Sequence, residues 1–272
     1  MPFQTLDGFG PTRRTLQLYG RALSGIARVH GVAHPNWWHV SLRVTPSGLL
    51  GDNIPLPAGG VLAGRLDLLA HQLFLWTSEG RQWTLPMDEG WSGTRMGERV
   101  IAVAAEAGLH GELDRSRFAS DEPGAYDPAA VSRFLAALVT ADRVLKKHRA
   151  ALAGNTGPVQ LWPHGFDLSM EWYGTRVERY EEAGQVKEIP AQLNFGFYPG
   201  EDDASSYFYS NPWPFDGDKL LDKPLPAGAS WHTENWQGSI LPYAALRDDP
   251  AAEARLLEYA AVVFAEAAPL LG

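Results

Sequence analysis

The chain has 272 residues, 45% hydrophobic and 20% charged, which excludes a disordered polymer and suits one large or two small domains with a real core. Its 32 acidic against 23 basic residues give a net charge of -9 and argue against a nucleic-acid surface, which needs clustered Lys and Arg to neutralise phosphates. Cysteine is absent, so disulfides and thiolate metal sites are excluded and a reducing cytoplasm is the simplest compartment.

The N-terminus lacks the charged start and apolar run of a signal peptide, and no apolar stretch approaches the ~18 residues of a membrane span. A soluble protein without membrane association is expected. In chain order, Leu16, Tyr19, Leu23, Ile26 and Val29 recur at helical spacing, predicting an amphipathic helix over Thr15 to Val29 that Gly31 and Pro35 end. Trp38 to Thr45 alternates, with Trp38, Val40, Leu42 and Val44 on one face and His39, Ser41 and Arg43 on the other, the pattern of a strand. Val61 to Leu69, Leu73 to Thr77 and Arg81 to Leu85 read as an antiparallel meander, with Ser78-Glu79-Gly80 as the last turn and His71 in a hairpin. Thr94 to Ala107 is a second helix stopped by Gly108.

Residues 110–126 are polar and irregular, and divide an N-terminal half, 1–109, from a C-terminal half, 127–272. Asp127-Pro128 opens a long helix as N-cap and first helical residue, running to about Leu152. Then comes a strand, Phe166 to Trp172. Its expected core face is Phe166, Leu168, Met170 and Trp172, and its polar face, turned to solvent, Asp167, Ser169 and Glu171. Before it, Pro163 and Gly165 flank His164 at a bend. Arg176 to Glu188 and Gln192 to Gly196 suggest a hairpin, Tyr207 to Ser210 a strand, and Pro212 to Gly228 a long loop. Asp249-Pro250-Ala-Ala repeats the earlier helix opening, before a final helix expected to bury Leu256, Leu257, Ala260, Val263 and Phe264. Strands grouped between helices imply an α+β fold, antiparallel sheets with packed helices. The helix, strands, helix order occurs twice, as in two diverged halves.

Five motifs, Asn36-Trp-Trp-His-Val, Val159-Gln-Leu-Trp-Pro-His-Gly-Phe-Asp-Leu, Asn194-Phe-Gly-Phe-Tyr-Pro-Gly-Glu-Asp, Tyr207-Phe-Tyr-Ser-Asn-Pro-Trp and Leu241-Pro-Tyr, span most of the chain. In these the sequence resembles an uncharacterised bacterial family, a domain of unknown function. The resemblance implies a soluble bacterial protein and carries no activity, cofactor or catalytic residue with it.

The residues themselves nominate a site. His164, Asp167 and Glu171 place an imidazole beside two carboxylates; in an enzyme His164 would be the acid or base and Asp167 would orient its ring. Tyr207, Tyr209 and Trp213 supply rings that stack on a planar or sugar-like ligand, and His232, Glu234 and His39 are further polar candidates for a small-molecule pocket. A divalent metal on His164, Asp167, His232 and Glu234 is an alternative, although the spacing matches no strong metal signature. The acidic turn Glu201-Asp202-Asp203 lacks the ligand pattern of a calcium loop. No nucleotide or nucleophile-elbow motif occurs, so no cofactor is identified. Two readings stand: a small-molecule-binding protein with acid–base or hydrolytic activity, and a non-catalytic interaction module anchored by Trp213, Trp231 and Trp236.

Overall fold

Leu16, Tyr19, Leu23 and Ile26 are all buried along one face of α1 (Gly10–His30), as their spacing requires. The structure is a computed structural model and describes residues 3–182, 184–201 and 205–272. After α1 a first antiparallel sheet forms from β1 (Arg43–Thr45), β2 (Gly48–Leu50), β3 (Ile54–Pro55), β4 (Val61–Asp67), β5 (Gln72–Thr77) and β6 (Gln82–Pro86), with β4 and β5 at its centre. It is followed by α2 (Gly93–Glu106), whose cap Ser92 accepts from the Arg95 amide at 3.1 Å. The long α3 (Pro128–Ala151) starts where Asp127 accepts from the Ala129 amide at 2.9 Å.

The second sheet uses β7 (Asn155–Thr156), β8 (Gln160–Trp162), β9 (Asp167–Glu182), β10 (Gln185–Tyr198) and β11 (Tyr207–Trp213), then, after the short α4 (Gly217–Leu220), β12 (Ser230–His232) and β13 (Gly238–Pro242). Its order is β12-β13-β11-β10-β9-β7, with β8 also on β9. Alternation gives this sheet two unlike faces. Leu168, Met170, Leu193, Phe195, Phe197, Phe208 and Leu241 are buried on one side, where α3 and α5 (Ala252–Ala267) cover them; Phe195 meets His148 of α3 at 5.1 Å and Tyr259 of α5 at 5.4 Å. The largest buried cluster draws on both sheets and on α1, α2, α3 and α5.

The α+β class with antiparallel sheets is what the sequence implies; several local expectations are corrected. Trp38–Val40 is a 3-10 turn rather than the start of a strand, and the chain extends only from Arg43. Trp37 enters that turn with φ of 59°, and the turn at Trp38–Val40 removes the first three residues from the apparent alternation. Phe166 is not a strand residue: its φ is 56°, in the left-handed region that closes the β8–β9 turn, although its ring is buried. Asp249 caps the turn before the last helix, accepting from the Ala251 amide at 2.7 Å and from Arg255 at 2.6 Å; the residue at the helix cap itself is Ala251. On α5, Leu256, Ala260 and Val263 are buried, whereas Leu257 and Phe264 are only half-buried. Asp202 and Asp203, at the tip of the acidic turn, lie outside the described residues; Glu201 pairs with Arg13 at 3.1 Å. No helix among the described residues is long and apolar enough to cross a membrane.

Candidate functional site

The register of the second sheet decides which side chains share its other face. Across β9, β10 and β11 the pairs are Glu171, Asn194 and Asn211, then Ser169, Gly196 and Tyr209, with Tyr198 opposite Tyr207 one step further. Gln160 and Trp162 of β8 stand beside Ser169 and Asp167. This polar face was expected to meet water. Instead Ser169 and Glu171 are buried, only 3% and 7% exposed, because the Asn36–Val40 turn and the segment around Gly157 fold over it.

A cavity of about 730 Å³ results, and His164, Asp167, Ser169, Glu171, Asn194 and Tyr209 are in its wall. It adjoins a second recess of about 280 Å³ where Tyr198, Tyr207, Asn211 and Trp236 gather; Asp167, Asn194 and Tyr209 belong to both. The first lies within the size range of small-molecule sites, about 300–1,000 Å³.

Tyr209 crosses β10 to donate its phenolic hydrogen to Asp167 Oδ2 on β9. It can do so because its partner on β10 is Gly196: a Cβ there would lie 2.4 Å from the Tyr209 ring. Trp162 Nε1 donates to Ser169 Oγ at 2.9 Å, bracing the row from the β8 side. Gly157 does the same service for Glu171, since a Cβ there would come within 2.4 Å of its Oε2. Two buried acceptors on residues of the cavity wall have no hydrogen-bond partner among the described residues, Glu171 Oε2 and Asn194 Oδ1. Buried polar atoms are normally satisfied, so two unpartnered acceptors facing each other across one strand pairing are a reason to look for a ligand.

Burial governs the electrostatics. It pushes the Glu171 carboxyl up to about 7, with the nearby Asp167 charge adding to the rise. Asp167 is also raised by burial, opposed by the Tyr209 hydrogen bond and by His164. The Tyr209 hydroxyl is raised well above its usual value by burial and then by Asp167. A carboxyl that is half protonated near neutrality can give or take a proton; a phenol bonded to a carboxylate can orient or donate.

Local sequence explains how His164 is held. Arg13, Gln17 and Arg21 recur every four residues on α1, and all three reach the β8–β9 turn: Arg13 Nη2 donates to Gly165 O, Gln17 Nε2 to His164 O at 2.6 Å, and Arg21 to Pro163 O at 3.2 Å and to His164 O. The contacts use backbone carbonyls, so among the described residues the imidazole has no hydrogen-bond partner; it is exposed at the cavity mouth, 6.0 Å from the Trp162 ring.

Other expected site residues lie elsewhere. His39 is buried one layer behind the cavity, its Nδ1 accepting from the His34 amide at 3.1 Å. His232 sits on the edge strand and packs on Trp236 at 4.5 Å; it backs the aromatic recess without lining it. Glu234 is exposed in the β12–β13 turn. Trp213 lines a neighbouring depression with Phe215 and Trp236, and half-buried Trp231 donates to Lys223 O at 2.9 Å. Thus His164, Asp167, His232 and Glu234 are not one cluster, and among the described residues no group of three or more His, Asp or Glu is arranged to hold a metal ion. Asn194, Gly196, Trp162 and Gln160 were not singled out from sequence as site residues. The signal existed: Phe195 and Phe197 alternate inward, which puts Asn194, Gly196 and Tyr198 outward.

Fold and groove together define an α+β protein whose larger antiparallel sheet is helix-covered on one face and carries carboxylates and aromatic rings in a groove on the other. The chain belongs to the family of unknown function DUF5996, which it matches over residues 2–272. No curated protein and no solved structure matches it.

Proposed function

We propose that this protein binds a small polar organic molecule in the groove of its second sheet and carries out proton transfer on it. The observation that supports this most is Glu171: a buried carboxyl pushed up to about 7, with one oxygen unpartnered among the described residues, in the wall of a cavity of about 730 Å³. Glu171 is the proton-transferring residue, and the Asp167–Tyr209 pair positions the ligand and supplies a second hydrogen-bond donor or acceptor. Tyr198, Tyr207 and Trp236 offer ring faces to the apolar part of the ligand, and Asn194 and Asn211 offer amides to its hydroxyl or carbonyl groups. The net charge of -9 favours such a ligand over nucleic acid, and the lack of cysteine suits a reducing cytoplasm.

The test is a small-molecule screen by ligand-observed NMR on the native protein and on Tyr209→Phe and Glu171→Gln. Hits that compete with one another, weaken in Tyr209→Phe and are turned over only by the native protein support the reading. Hits unaffected by both substitutions would place binding elsewhere and overturn it.

A further inference from the structure

Beside the carboxylate cavity, on the side of α1, lies a recess of about 230 Å³ whose wall includes Arg21, Arg28, Arg117 and His164. Arg28, Val40 and His164 line both spaces, so the two are joined. In an acidic protein, three guanidinium groups around one small recess call for a reason. Arg21 has a structural one, the carbonyls of Pro163 and His164. Arg117 has an exposed ion pair with Asp114 at 3.2 Å, and Asp114 also accepts from Ser116. Arg28 differs: among the described residues no carboxylate lies within ion-pair distance of it, and its guanidinium lies over the Trp37 ring at 4.7 Å. A cation–π contact at that distance restrains the guanidinium without using its N–H groups in a hydrogen bond.

We propose that this recess is an oxyanion subsite in which Arg28, with Arg117 and His164 beside it, holds a phosphate or carboxylate group carried by the ligand. Guanidinium forks match both oxyanions bidentately, and a fork already immobilised on an indole loses less freedom when it binds. The volume is small for a whole organic ligand but ample for one oxyanion and a few waters of about 30 Å³ each. Among the described residues Asp114 faces Arg28, and Glu201 faces Arg21; Asp114 is engaged with Arg117 and Ser116, and Glu201 with Arg13. Only the link to Glu171 rests on the proposed function; the subsite itself does not.

Inorganic phosphate and, separately, succinate are titrated into protein labelled with ¹⁵N-arginine at constant ionic strength, following the Nε–H signals of Arg21, Arg28 and Arg117, of which Arg21 and Arg117 still report in Arg28→Met, and Arg21 and Arg28 in Arg117→Met. Saturable shifts are expected, with affinity falling roughly tenfold or more in Arg28→Met, the loss expected when charge-assisted hydrogen bonds are removed. Arg117→Met, at an exposed side chain, serves if Arg28→Met does not fold. Preference for phosphate identifies a phosphate ester as the ligand class, and preference for succinate a carboxylic acid. No saturable shift with either probe, or equal affinity in native and variant proteins, overturns the subsite. Phosphate binding kept in Glu171→Gln shows the subsite standing even where the acid–base reading fails.

Discussion

Replacing Glu171 by Gln should make the protein more stable above neutral pH, while removing the group proposed to move the proton. The carboxyl sits near 4.5 in the unfolded chain and about 7 in the folded one. The folded state therefore favours the protonated form: the stability this carries is fully present below pH 4.5 and is lost as pH rises through 7. At 1.36 kcal/mol per pH unit, the loss amounts to about 3 kcal/mol at pH 8. Gln keeps the shape and is never charged, so the variant escapes the loss. For a chain of this size the expected gain in Tm at pH 8 is about 5 °C, against almost none at pH 4. His148, buried beside Phe195 and pushed down to about 4, works in the opposite direction, costing stability as pH falls from 6.5. It is present in both proteins, so it cancels in the difference between their melting profiles. Differential scanning calorimetry from pH 4 to 8.5 gives that difference directly. Parallel profiles, or a variant less stable at pH 8, would refute the reasoning.

Gly196→Ala should cost about 2 kcal/mol through overpacking and displace Tyr209 from Asp167, because the new Cβ would meet the phenol ring at 2.4 Å; urea unfolding and near-ultraviolet circular dichroism read the two effects, and an unchanged spectrum would contradict the packing. Asp127→Ala should lower stability by about 1 kcal/mol, the usual worth of an N-cap, and Asp249→Ala should lower the unfolding midpoint through loss of the Ala251 and Arg255 contacts; unchanged unfolding midpoints would show that the bonds contribute nothing. His164→Ala should stay within about 1 kcal/mol of native stability, since the exposed ring leaves the turn held by carbonyls that the variant keeps, and a loss of about 3 kcal/mol would make His164 structural.

Much of the fold was legible in the sequence because periodicity reports burial. The long helices α1, α2, α3 and α5, the first-sheet meander and the Leu168–Met170 face of β9 follow from spacing alone, whereas the short α4 falls in the stretch Pro212 to Gly228 expected to be a loop. Spacing failed where the backbone leaves the extended region: the 3-10 turn at Trp38–Val40, and Phe166 with its positive φ, disrupt patterns that read smoothly as strand. For the site, alternation placed Asp167, Ser169 and Glu171 on one face but could not tell that a distant turn, Asn36–Val40, folds over them. That covering lifts Glu171 out of the usual carboxylate range. Nor could sequence place Tyr209 against Asp167, a contact across two strand pairings that depends on a glycine between them. The candidates His232, Glu234 and His39 were nominated by residue type, and three-dimensional placement puts them outside the cavity wall.

The most direct test of the account is the titration of Glu171 itself, by ¹³C NMR of protein carrying ¹³Cδ-labelled glutamate, with the Glu171→Gln variant used to assign its signal. The expected midpoint is near 7, well separated from the exposed glutamates, and the signal should shift when a groove ligand binds. A midpoint in the ordinary range near 4.5 would contradict it, because the carboxyl would then be charged and solvated rather than held ready to move a proton.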